Sequence, residues 1–243
     1  MIKKAEASLP VYYRLQVSIR NEIESGRWKP GEMIPTERAL AEIHAVSVGT
    51  VKKALLNLVF EGYLYRVQGK GTFVAGTTLR RESLRYYRLL EHFDDVEADL
   101  KVRFLESSEM NCFEPVTRYL NLTPRQKLYE IKRVFLAGEK PVAYTVSYLP
   151  QKMFKGLGKL PKSLFEKVTL YKVLEQNYGL PTIYNHELFQ IVPAEAEVAG
   201  NLKIPEQTPI FFIEMLTFTY KDKPYEYRQA FCHPGKRKLF RET

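Results

Sequence analysis

The chain has 243 residues, enough for two compact domains, and its 45% hydrophobic and 27% charged residues suit a globular protein with real cores. No apolar run reaches the length of a membrane span, and Met1-Ile2-Lys3-Lys4-Ala5-Glu6 lacks the apolar centre of a signal peptide, so a cytoplasmic protein is expected. The net charge of +9 is uneven: residues 1–90 hold 15 Lys+Arg against 8 Asp+Glu and residues 91–243 hold 22 against 20, which puts the basic excess where a polyanion would be bound.

Residues 10–26 read as an amphipathic helix, with Val11, Leu15, Ile19 and Ile23 at four-residue spacing and Gly26 suited to a left-handed stop. Pro30-Gly31 makes a turn. Thr36 caps a second helix, Glu37 suits the positive end of its dipole, and Leu40 and Ile43 supply its apolar face. After the break at His44-Ala45-Val46, Ser47 caps a third helix whose buried stripe is Val51, Ala54, Leu55 and Leu58, ending at Gly62. Tyr63–Val67 and Thr72–Val74 are short strands around the tight turn Gln68-Gly69-Lys70-Gly71. The second and third helices are too short to stand alone and must lay their stripes on the first. That arrangement is a winged helix-turn-helix, and it leaves the polar face of the third helix pointing outward for a DNA major groove.

Residues 77–90 are expected to be a linker between a DNA-binding domain, 1–76, and a second domain, 91–243. In the latter, Lys127–Ala137 and Lys140–Leu149 form a hairpin around Gly138-Glu139. Thr169–Tyr178 and Pro193–Leu202 read as helices, and Pro209–Tyr220 with Tyr225–Phe231 form a second hairpin around Asp222-Lys223. The fold class is α+β with a mostly antiparallel sheet. Cys112 and Cys232 lie in no C-x-x-C pair and read as free thiols in cores. His44, His92, His186 and His233 stand at no metal-ligand spacing, and the zinc-protease-like start His186-Glu187 fails at Gln190. No metal, cofactor or enzymatic activity is expected.

The residues Val11–Leu15, Ile23–Gly26, Lys29–Glu32, Pro35–Ala41, Val51–Leu55 and Tyr65–Val74 closely resemble the GntR family of bacterial regulators. Tyr148–Pro150, Thr169–Tyr171, Leu174-Glu175, Tyr178-Gly179, Pro193–Glu195 and Lys223–Tyr227 resemble the effector domain of its HutC branch, UTRA, which has a chorismate-lyase-like fold. The resemblance implies a homodimer that binds palindromic double-stranded operator DNA, usually as a repressor, and answers to a small-molecule effector. A ligand-independent DNA-binding protein with a vestigial pocket and a lyase-like enzyme are the alternatives.

Transferred onto this chain, the family pattern makes Arg38 a DNA contact at the start of the second helix. Ser47, Gly49 and Thr50 are short side chains on the first turn of the recognition helix, where backbone amides approach phosphate and base edges closely. Lys52 and Lys53 follow, one of them facing phosphate. Gln68, Gly69, Lys70 and Thr72 form the wing. Val48 stands where many relatives carry arginine. It cannot grip guanine O6 and N7, so binding-site selection is expected to return a half-site that departs from the family's at that base pair.

In sugar-phosphate-sensing relatives an Arg-x-Arg pair holds the phosphate. Here it reads Arg133-Val134-Phe135, and the family's acidic residue on the next strand is Thr145. Residues 133 and 135 share a strand face, so one guanidinium lies beside an aromatic ring. This suits a carboxylate with an apolar body better than a dianionic phosphate. Ser147, Thr169, Tyr171 and Glu226 match other pocket positions, with Glu226 free to pair with Arg133 or Arg228.

Overall fold

The computed structural model describes residues 9–76, 88–90, 100–166, 170–233, 235 and 238–240. Three helices open the chain: α1 (Val11–Glu24), α2 (Glu37–Ile43) and α3 (Val48–Phe60). Thr36 Oγ1 accepts from the Ala39 amide and Ser47 Oγ accepts from the Thr50 amide at 3.1 Å, so both polar caps satisfy an otherwise orphaned amide. Antiparallel strands β1 (Leu64–Val67) and β2 (Gly71–Val74) make the wing.

Leu15, Ile19 and Ile23 of α1 meet Leu40 of α2 and Val51, Ala54, Leu55 and Leu58 of α3, and Ile34, Tyr63, Leu64 and Val74 close this core. Two expected core positions fall outside it. Val11 is 45% exposed and Ile43 67% exposed. Each four-residue step turns about 40° past a full helical turn, so two steps carry Val11 off the stripe centred on Ile19. In α2 the buried pair is Leu40 and Ala41, whose mean direction lies about 110° round the helix from Ile43. Gln16 is buried instead and joins α1 to the end of α3: its Nε2 donates to Glu61 Oε1 at 2.6 Å and its Oε1 accepts from Asn57 Nδ2 at 3.0 Å.

The second part is a six-stranded sheet in the order β4-β5-β6-β9-β8-β7, antiparallel at every pairing. Its strands are β4 (Leu100–Asn111), β5 (Lys127–Ala137), β6 (Lys140–Pro150), β7 (Tyr184–Pro193), β8 (Pro209–Thr219) and β9 (Lys223–Cys232). One face is covered by α4 (Val116–Tyr119) and α7 (Ala196–Leu202), whose Val116, Val198 and Leu202 pack on Val134, Tyr144, Val146 and Tyr227. The other face is covered by a 3-10 turn, Leu157–Lys159, and by α5 (Lys162–Phe165) and α6 (Leu170–Tyr178), which pack on Ile131, Leu149 and Tyr225. A sheet buried on both faces needs mostly apolar residues at successive positions, as β6 has from Val142 to Pro150 apart from the buried Thr145 and Ser147. Within the stretch expected as linker, β3 (Arg88–Leu90) pairs with β10 (Lys238–Phe240).

Three expectations are corrected. Pro193 ends β7 opposite Pro209 instead of starting a helix, because two prolines offer the ladder no N–H, and α7 begins at Ala196. The β8–β9 connection is a 3-10 turn at Tyr220–Asp222, earlier than Asp222-Lys223. The edge strands β4 and β7 were not anticipated, since neither alternates cleanly between apolar and polar. No single helix among the described residues is long and apolar enough to cross a membrane.

Candidate nucleic-acid interface and effector site

The outward surface of the first domain is built by α3 and the wing. A cleft of about 840 Å³ runs between them, lined by Arg38, Val48, Lys52, Arg66, Gln68 and Lys70 among others. Ser47, Gly49 and Lys52 are exposed on α3 and Thr50 is half-buried. An added Cβ at Gly49 would meet only Ser47 Oγ, at 3.8 Å, so the chain itself places no demand for glycine there. The wing tip does demand it: Gly69 has φ 73° and Gly71 φ 138°, and a Cβ on Gly71 would lie 3.1 Å from Met33 Sδ.

The two lysines of α3 part company. Lys52 lines the cleft with its Nζ 4.0 Å from Glu37, whereas Lys53 Nζ lies 4.0 Å over the Tyr12 ring of α1. Arg38 is highly exposed, with Glu42 one turn on at 3.9 Å. Thr72, Gly69 and Gln68 also line the cleft. Arg66, which sequence reading missed, joins them with its Nη2 3.0 Å from Glu37. Its signal was available: it is the one cation on the wing strand beside the Gly-Lys-Gly tip. Exposed cations on a helix and a protruding hairpin, with short side chains between them, have the chemistry that phosphate contacts require.

The second site lies on the α6-covered face of the sheet. Across three adjacent strands the register puts Arg133 opposite Thr145 and Thr145 opposite Ala230; one row on, Ser147 stands opposite Arg228; in the next, Asn185 stands opposite Thr217 and Thr217 opposite Glu226. Arg133, Thr145, Ser147, Thr217, Glu226 and Arg228 are all buried. Glu226 pairs with Arg228: Nη2 donates to Oε1 at 2.6 Å and Nε at 2.9 Å, while Nε also donates to Ser147 Oγ at 3.0 Å. Thr217 Oγ1 donates to Glu226 Oε2 at 3.4 Å. The Arg228 guanidinium lies 4.8 Å from the Tyr171 ring of α6, and that of Arg133 5.2 Å from the Phe135 ring.

The structure therefore brings together Arg133, Phe135, Thr145, Ser147, Tyr171 and Glu226, and Thr169 lies outside the described residues. Sequence reading had Arg228 only as a possible partner of Glu226, and missed Thr217 and Asn185. Thr145 Oγ1 and both amide atoms of Asn185 are buried without a hydrogen-bond partner among the described residues. Buried polar atoms with unused capacity are rare in finished cores and mark a place where a ligand's groups can be received. A separate groove of about 260 Å³ lies on the opposite face, lined by Tyr119, His186, Leu188 and Glu214 among others, and none of the expected effector residues reaches it. No group of three or more His, Cys, Asp or Glu that could hold a metal occurs among the described residues.

A winged helix-turn-helix with an exposed basic face, joined to a sheet domain with a buried polar cluster, has the layout of a DNA-binding regulator with a sensing domain. The comparisons agree. Residues 12–74 match the bacterial regulatory proteins of the gntR family and residues 97–237 match the UTRA domain. The chain is 30% identical to the uncharacterized HTH-type transcriptional regulator YurK of Bacillus subtilis over 90% of its own length and 89% of that protein's. It is 26% identical to the HTH-type transcriptional repressor NagR of Bacillus subtilis, over 93% and 91%. Among solved structures, the possible transcriptional regulator YydK of Bacillus subtilis aligns over 97% of this chain and 100% of its own with TM-score 0.55 at 19% identity. The ligand-binding domain of a putative GntR-family regulator from Bordetella bronchiseptica aligns over 65% and 98%, with TM-score 0.60 at 22% identity. The chain belongs to the GntR family of bacterial transcriptional regulators and carries a UTRA effector domain.

Proposed function

We propose that this protein is a cytoplasmic, non-enzymatic repressor that binds a palindromic operator as a homodimer and is controlled by a monoanionic effector, a carboxylate with an apolar body. The DNA-contacting set is Arg38, Ser47, Val48, Gly49, Thr50, Lys52, the wing residues Gln68 to Lys70 and Thr72, with Arg66 added; Lys53 is the weakest member because its ammonium rests on Tyr12. The repressor sign follows that of NagR, a transcriptional repressor.

The homodimer is supported by a contrast between the two sheet edges. β4 carries Lys101, Arg103, Glu106 and Glu109 and a register shift at Phe104/Glu106, the usual protections of an exposed edge. β7 has no register shift and exposes Leu188, Phe189 and Ile191. A second copy covering this edge would also supply the second recognition helix that a two-fold operator needs, about 34–36 Å from the first.

One observation carries the effector reading: the buried row in which the Arg133 guanidinium, the Phe135 ring and the Thr145 hydroxyl adjoin. Two guanidiniums, Arg133 and Arg228, against the one Glu226 carboxylate leave the cluster a single positive charge, which matches one carboxylate, and the ring matches an apolar substituent. The vestigial-pocket reading is favoured by one fact, that Phe135 packs with Val102, Ala137 and Val142 and is itself buried. A thermal-shift screen separates them. Small aromatic and branched carboxylates are expected to raise the melting temperature with saturation, as binding to the native state alone must. Stabilisation by hexose phosphates and by no carboxylate would overturn the monoanion; no response to either class would favour the vestigial pocket.

A further inference from the structure

The two domains are joined by more than the chain between them. The turn at the tip of the β8–β9 hairpin enters the DNA-binding domain. The Tyr220 ring stacks on Tyr63 with centroids 4.2 Å apart and planes 12° from parallel, and its hydroxyl donates to the Ala75 carbonyl at 3.1 Å. The Lys221 amide donates to the Glu61 carbonyl at 3.2 Å, immediately beyond α3, and Lys221 Nζ lies 3.9 Å from Glu24 Oε1 at the end of α1. Tyr63 donates to the same carboxylate. Ile183, just before β7, is buried in the first domain's core, 3.3 Å from where a Cβ of Gly62 would stand. Tyr220 and Ile183 thus belong to the core of a domain on which they are not encoded.

The turn is not a relaxed one. Lys221 and Asp222 both adopt positive φ, 59° and 52°, although neither is glycine. Such conformations persist where surrounding contacts impose them, and here the contacts come from the other domain and from Tyr184, whose hydroxyl donates to Asp222 at 2.9 Å.

The stem of the same hairpin is the wall of the buried polar cluster. Thr217 precedes Tyr220 by three residues, about 10 Å along a strand. Between stem and tip the ladder slips: Thr217 faces Glu226 but Phe218 faces Pro224, which leaves Tyr225 as the extra residue. Tyr225 is fully buried and hydrogen-bonds Thr182, the neighbour of Ile183. Two connections therefore run from the cluster to the first domain, one along β8 to Tyr220 and one through Tyr225 and Thr182 to Ile183. A bulge is a place where a strand can change its bend without losing its pairing on either side.

We propose that the β8–β9 hairpin is the lever of this regulator: its tip fixes the orientation of the DNA-binding domain at the end of the recognition helix, and its stem, Thr217 and Glu226, senses the buried cluster. The proposal rests on the reading of that cluster as the effector site. An occupant that draws Glu226 from Thr217 or Arg228 shifts the stem, the bulge takes up the change, and the tip loosens its hold at Glu61 and Tyr63. The recognition helix is then free to leave the orientation that a two-fold operator requires.

Hydrogen exchange on the full-length protein tests this without a known effector. The Lys221 amide, which donates to the Glu61 carbonyl, reports on the tip and the amides of Val51–Leu58 report on α3. Thr217→Val removes the hydroxyl from Glu226 and is expected to speed exchange at the tip at least tenfold while α3 keeps its protection. Glu226→Gln, if it folds, gives a larger rise of the same pattern. Thr117→Val, buried on the opposite face of the sheet and off the hairpin, leaves the tip unchanged. Tyr220→Ala is expected to loosen the stem in return, seen at the Glu226 and Arg228 amides, because coupling is reciprocal. Unchanged tip exchange in Thr217→Val, an equal rise in Thr117→Val, or a rise spread over α3 would each overturn the lever. A lever that passes while the carboxylate screen fails leaves the coupling standing and refutes only the assigned ligand.

Discussion

Arg228→Met is expected to destabilise the protein by about 3–5 kcal/mol, because it leaves the Glu226 carboxylate buried with no cation on it. Both residues are fully buried, and the pair is held by two hydrogen bonds from the guanidinium to Oε1. A domain of ordinary stability has about 5–15 kcal/mol in hand, so the single variant should unfold at a much lower urea midpoint. The double variant Arg228→Met/Glu226→Leu removes both charges and should recover most of that loss, since replacing a buried pair with apolar residues of similar volume is often neutral or stabilising. Equal destabilisation in the single and the double variant would mean that the pair is not coupled as described. The recovered double variant keeps Arg133, Phe135 and Thr145 and should still be stabilised by carboxylates, but its operator binding should no longer answer them, which separates the cluster's part in sensing from its part in folding.

Gly49→Glu is expected to weaken operator binding at least a hundredfold, about 3 kcal/mol, while leaving the fold intact or slightly more stable. Gly49 is the second residue of α3 after the Ser47 cap. Glycine costs a helix about 0.5–1 kcal/mol relative to alanine, and a carboxylate in the first turn gains from the dipole. A Cβ there meets only Ser47 Oγ at 3.8 Å, so no internal clash offsets these gains. The same position faces outward beside the basic cleft, where bulk would hold the helix off the groove and negative charge would meet phosphate. Urea unfolding and fluorescence anisotropy on one preparation read both effects. Opposite signs are the signature of an interface residue, and a variant that loses binding only by losing stability would contradict the assignment.

How far these features were legible in the sequence depends on the period of each element. In α3 the stripe Val51, Ala54, Leu55, Leu58 follows the helical repeat closely, so both its buried side and its outward side could be read. In α1 the four-residue spacing looked regular but carried Val11 off the stripe, and Gln16 was invisible because its burial depends on Asn57 and Glu61, some forty residues away. The edge strands β4 and β7 escaped notice because a strand with solvent on one side and unlike neighbours on its two faces has no clean alternation.

In the proposed effector site, the strand rule placed Arg133 and Phe135 on one face, and their guanidinium–ring distance of 5.2 Å follows from it. Which acid meets which arginine did not follow from local pattern. The alternatives Arg133 and Arg228 were both open, although Glu226 and Arg228, two apart in an apolar run, share a face and were the stronger geometric choice. Thr217 and Asn185 could be found only through strand order, because they reach the cluster across a register that sequence does not display. Tyr220 lay in plain sight as a strand residue; its packing into the other domain is a long-range fact.

Methylation interference on the DNA flanking the protein's own gene reads whether α3 enters the major groove. With the exposed side of α3 in the major groove, guanines methylated at N7 should be depleted from the bound fraction, in two patches about one helical turn apart. Binding that tolerates N7 methylation throughout the protected region, or an absence of specific binding at moderate salt, would contradict it.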